Sequence, residues 1–164
     1  MKRMLVVIFD SEEKAYEGAR ALETLSEESM IAVYDDVVVK KDGDGTTTTV
    51  VKTHDTDPQG TMGGTAVGSL IGLLGGGPIG LAVGATTGFV LGAAADGARA
   101  RLGRHFVREI ADALAPGHTA LVAEIDEEDT DPVDGRMRAL GGSIFRSDLS
   151  DVADADRERH ANRP

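Results

Sequence analysis

Gly75-x-Gly77-x-x-Gly80 has the spacing of a dinucleotide-binding loop, and Asp96 follows about 20 residues on, where an acid would take a ribose hydroxyl. That chemistry needs a strand leading into the loop. Here the preceding run carries Gly64, Gly68 and Gly72 at helical spacing, and Pro78 sits inside the motif. A Walker A loop needs a lysine and a hydroxyl after its last glycine, and Gly80-Leu81-Ala82 supplies neither. Gly68-Ser69-Leu70-Ile71-Gly72 lacks the serine-centred geometry of a nucleophile elbow. His54, His105, His118 and His160 share no metal-ligand spacing, and His54 beside Asp55 and Asp57 reads as a solvated loop. The acidic run Glu124-Ile125-Asp126-Glu127-Glu128-Asp129 has no EF-hand periodicity and reads as a strand end passing into a solvated loop. No catalytic constellation emerges. The expectation is a protein that is not an enzyme and that uses no cofactor and no metal.

Bulk properties narrow the classes further. A chain of 164 residues fits one domain with a sizeable insertion. It has no cysteine, which excludes disulfides, thiolate metal sites and cysteine nucleophiles. A formal charge of -11 and a pI near 4.7 argue against binding to a phosphate backbone, so no nucleic-acid partner is expected. With no tryptophan and 4% aromatic residues, there is little material for base-stacking platforms. The opening MKRMLVVIFD has too short an apolar run for a secretory signal, which needs roughly 7–15 residues, and reads as a buried first strand.

The elements follow from periodicity. Leu5 to Phe9 is β-rich. Ser11 is a good N-cap with Glu12 and Glu13 in the first turn, and Ala15, Ala19, Leu22 and Leu25 recur at helical spacing to about Glu27. Ile31, Val33, Val37 and Val39 share one parity of an extended segment, and Lys41 to Gly45 (KDGDG) supplies hairpin chemistry before Thr46 to Thr53 returns as the partner strand. Further on, Leu102, Phe106, Ile110 and Leu114 form a helical stripe that Pro116-Gly117 stops, and Thr119 to Ile125 is a fourth strand. The reading is an α+β fold: a ferredoxin-like (βαββαβ) domain over residues 1–149, with an insertion between its third strand and second helix. A short helix from Pro132 to Leu140 and a strand from Ser143 to Arg146 extend it, and residues 150–164 form a charged, frayed tail.

The insertion, residues 60–96, is the most distinctive segment. Glycine recurs every fourth position at Gly60, Gly64, Gly68, Gly72, Gly76, Gly80, Gly84, Gly88 and Gly92, close to one helical turn. Val67, Leu70, Ile71, Leu74, Leu81, Val83, Val90 and Leu91 lie between them. Gly75, Gly77 and Pro78 mark a turn, since glycine suits a helix end and proline the first turn of the next helix. The segment therefore reads as a glycine-zipper helical hairpin whose smooth ribbons let backbones approach closely. Each glycine costs roughly 1 kcal/mol of helix propensity relative to alanine, so the hairpin needs lipid or dense burial against other subunits. Arms of about 14 and 18 residues span roughly 21 and 27 Å, against about 30 Å of hydrocarbon. Arg99, Arg101 and Arg104 follow the second arm as basic flank residues, which suits a cytoplasmic exit.

The strand-hairpin segment AVYDDVVVKKDGDG, the insert with its central GPIG, the segment PGHTALVAEID and the closing GGSIFRSDLS resemble a bacterial and archaeal family labelled "predicted membrane protein", domain of unknown function 1269. The resemblance implies a ferredoxin-like domain carrying a glycine-rich hydrophobic insert, and it brings no activity and no catalytic residues. The expectation is a homo-oligomeric, non-enzymatic protein on the cytoplasmic side of the cell membrane, with the hairpin entering lipid or packing between subunits. The alternatives are a soluble cytoplasmic assembly and a small-ligand sensor built on the same domain.

Overall fold

Six consecutive apolar residues, Met4 to Phe9, are buried, because this strand lies inside a sheet covered on both faces. In the computed structural model the described residues are 2–44, 47–52, 67, 70 and 104–149. Strand β1 (Lys2–Phe9) leads into helix α1 (Glu12–Glu27) and strand β2 (Ile31–Lys41). Strand β3 (Thr47–Lys52) returns along β2, and helix α2 (Arg104–Ala113), strand β4 (Thr119–Glu127), helix α3 (Asp131–Ala139) and strand β5 (Ser143–Asp148) follow.

The five strands form an antiparallel sheet in the order β3-β2-β4-β1-β5. β1 and β2 both run antiparallel to β4 and so lie parallel to each other on either side of it. β4 and β5 flank β1 in the same way. The hairpin strand β3 lies at the sheet edge, paired with β2. The α+β class read from the sequence is therefore present, as an antiparallel sheet with helices on both faces.

Each face has its own core. Leu5, Val7 and Phe9 alternate with Met4, Val6 and Ile8. The first set packs with Leu22 and Leu25 of α1 and with Val133 and Met137 of α3. The second packs with Phe106 and Ile110 of α2 and with Leu114, which follows it. The expected stripe Phe106–Ile110–Leu114 is thus the buried side of α2, and Leu102 lies outside the described residues.

One strand departs from its expected parity. The register of β2 against β4 shifts between Val33 and Asp35, which inserts Tyr34 as an extra residue. Ile31 and Val33 consequently join the α1 and α3 face, whereas Val37 and Val39 join the α2 face. An apparent single stripe is two half-stripes on opposite sides of the sheet. The reason is geometric: one added residue turns every later side chain to the other face.

Caps fix the helix ends as sequence chemistry requires. Ser11 Oγ accepts from the Lys14 amide at 3.3 Å, the expected N-cap. α3 ends in a paired motif: the Gly141 amide donates to Arg138 O and the Gly142 amide to Met137 O, both at 2.9 Å, with Gly141 at φ +77°. α1 ends in the same way, with Ser29 at φ 57° in the place usually held by glycine.

Candidate functional site

The residues expected to drive packing and assembly, Gly60, Gly64, Gly68, Gly72, Gly76, Gly80, Gly84, Gly88 and Gly92, lie outside the described residues, as do Gly75, Gly77, Pro78, Arg99 and Arg101. Arg104 is the first residue of α2. Two members of the same segment are described. Val67 and Leu70 are helical, three residues apart, and 2% and 0% exposed. Both belong to the α2-face core with Met4, Val6 and Phe106. The apolar side of the insert's first arm therefore meets this domain's own core at these two positions.

Away from that face, the two ends of the sheet carry different chemistry. At one end, the Glu127 side chain is fully buried and receives Arg146 Nε at 2.6 Å and Arg3 Nη1 at 3.1 Å. Arg146 Nη1 also pairs with Asp134 at 2.6 Å, Asp134 with Arg138 at 2.8 Å, and Arg3 Nε with Asp148 at 3.0 Å. Three carboxylates and three guanidinium groups alternate, so the cluster is balanced and the buried charge is satisfied. Burial works against the charge of Arg146, but hydrogen bonds to Glu127 and Asp134 and their charges outweigh it and hold its guanidinium more firmly protonated than usual. The acidic run that read as solvated thus ends β4 with one residue locked in the interior. Its signal lay in Arg3 and Arg146, both far away in sequence.

At the opposite end of the sheet is a half-open cavity of about 200 Å³. Ile8, Phe9, Ala113 and Phe145 give it apolar walls. Asp10, His118, Gly141 and Ser143 add the polar part. The turn Ala115-Pro116-Gly117-His118 places the histidine: the His118 amide donates to Ala115 O at 3.0 Å, with proline second and Gly117 at φ +86° third, the type II pattern. Two bonds to Lys41, Gly117 N to Lys41 O at 2.7 Å and Lys41 N to His118 O at 3.0 Å, fasten the turn to β2. His118 Nδ1 and the neighbouring Thr119 Oγ1 are buried with no hydrogen-bond partner among the described residues. Beside the cavity, Lys14 Nζ pairs with Asp10 Oδ1 at 3.0 Å and lies near Gly141.

Among the described residues there is no group of three or more His, Asp or Glu side chains placed to hold a metal ion. Among them, too, no helix is long and apolar enough to cross a membrane.

The described residues thus form an antiparallel α+β sheet, with a glycine-rich stretch of sequence between β3 and α2. The chain belongs to the family described as "Protein of unknown function (DUF1269)", which matches residues 61–160. Neither a curated protein nor a solved structure matches the chain.

Proposed function

We propose that this is a non-enzymatic, self-assembling protein whose glycine-zipper hairpin packs against hairpins of sister subunits on the cytoplasmic side of the membrane. The strands β2-β4-β1-β5, with α1 and α3 as their crossovers, support a ferredoxin-like reading of the domain. This reading differs from the expected one, which placed the insertion between the third strand and second helix. Here β5 is the fourth strand, and β3, the insert and α2 form one long excursion between the second and third strands. The hairpin then leaves from β3 at the sheet edge and returns into α2.

The observation that carries the choice of partner is the burial of Val67 and Leu70 in the domain core. Leu70 precedes Gly75, where the expected turn begins, by so few residues that a helix between them would be about 7.5 Å long at 1.5 Å per residue. A hydrocarbon core is about 30 Å thick. While Leu70 stays on the core, the first arm is too short to cross lipid. Its glycine ribbon is suited to close contact with another helix. Lipid insertion is the second reading, favoured by the unbroken charge-free run from Gly60 to Ala95 and by Arg99, Arg101 and Arg104 beyond it.

Sedimentation of the full chain with and without detergent separates the two. The assembly reading expects a discrete multimer in detergent-free buffer. Recovery only from the membrane fraction, with solubility depending on detergent, supports insertion instead.

A further inference from the structure

We propose that the cavity at the C-terminal end of β1 binds a free aliphatic α-amino acid. Its apolar walls, Ile8, Phe9, Ala113 and Phe145, suit a branched hydrocarbon side chain. At about 200 Å³ it is smaller than the roughly 300–1,000 Å³ of pockets that hold drug-sized molecules, which suits a small ligand.

The polar groups choose among small ligands. Asp10 lines the cavity, and the ammonium of Lys14 stands beside it, 3.0 Å from that carboxylate and near Gly141, which is also in the lining. An anion alone meets repulsion from Asp10, and a cation alone meets it from Lys14. A zwitterion satisfies both, its ammonium facing Asp10 and its carboxylate facing Lys14. His118, also in the lining, adds a second polar side chain beside them, and its Nδ1 is buried with no hydrogen-bond partner among the described residues. The site needs no sister subunit, and its occupation is independent of the assembly proposed above.

The test uses the full chain and calorimetric titration with L-leucine, alongside 4-methylpentanoate, which lacks the ammonium, and 3-methylbutylamine, which lacks the carboxylate. Saturable binding of leucine is expected, with either analogue weaker by roughly ten- to hundredfold, the loss of one charge-assisted contact. Asp10→Asn and Lys14→Met, both outside the buried core, should each weaken leucine by a similar factor. No heat of binding for leucine, valine or isoleucine up to about 1 mM ligand overturns the proposal. Equal binding of leucine and either analogue, or leucine binding unchanged in both variants, overturns it as well. Particle size measured on the same samples reports on assembly separately.

Discussion

Arg146 Nε lies 2.6 Å from Oε1 of Glu127, a carboxylate with no solvent exposure, on strands that do not pair with each other. β1 runs between them and contributes Arg3 to the same carboxylate. The contact thus ties β4 to β5 across β1, at the end of the sheet opposite the cavity. Arg146→Met should cost about 3–5 kcal/mol, because it strands a buried charge on one remaining arginine. Urea unfolding measures this, and a loss below about 1 kcal/mol would show that water or another cation replaces the guanidinium.

Two glycines with opposite surroundings make a second test. A Cβ on Gly142 would sit 2.5 Å from Val7 Cγ1, 2.8 Å from Phe9 Cε1 and 3.1 Å from Met137 O. Gly142→Ala should therefore destabilise by about 1–3 kcal/mol through overpacking. Gly135, inside α3, has nothing within 4 Å of its added Cβ. Gly135→Ala should stabilise by up to about 1 kcal/mol through helix propensity. Thermal melts of the two variants should move in opposite directions.

Tyr16 gives a pH-dependent signal. Its pKa is raised from 10.0 by burial, by the charge of Glu12 and by the 3.3 Å hydrogen bond it donates to that carboxylate. A raised phenol means that the folded state holds the proton longer than the unfolded chain. Its stabilising contribution is complete below pH 10 and is lost as pH rises through the folded value. Phenolate absorbance should show Tyr16 titrating above 10, and Tyr16→Phe should flatten the decline in stability there. A phenol titrating at or below 10 would contradict the burial argument.

Leu70 tests where the insert's root resides. Leu70→Ala should cost about 2–5 kcal/mol of domain stability, as for other fully buried leucines. A root that belonged to lipid alone would leave the domain's denaturation midpoint unchanged.

Much of this architecture was legible in the residues. Ser11 and the Ala15–Leu25 spacing defined α1, and Phe106, Ile110 and Leu114 defined the buried side of α2. Two features were hidden, for different reasons. The Tyr34 bulge leaves no mark in composition, since Ile31, Val33, Val37 and Val39 keep their parity along the chain while losing it in space. Glu127 looked solvated because its neighbours Glu128 and Asp129 are exposed, and its two arginines sit on other strands. The cavity was equally invisible: Asp10, His118 and Ser143 become neighbours only when β1, β4 and β5 align. Metal-ligand spacing does not single out His118, because tertiary proximity does not follow sequence spacing.

The most direct test of the central reading is sedimentation velocity on the full chain in detergent-free buffer, beside Gly72→Leu and Gly84→Leu. The predicted result is a discrete multimer of the 17.1 kDa chain that collapses to smaller species in both variants, with the sheet's circular dichroism retained. A monomer in the unaltered protein, or a multimer whose size both leucines leave unchanged, would contradict assembly through the glycine ribbons.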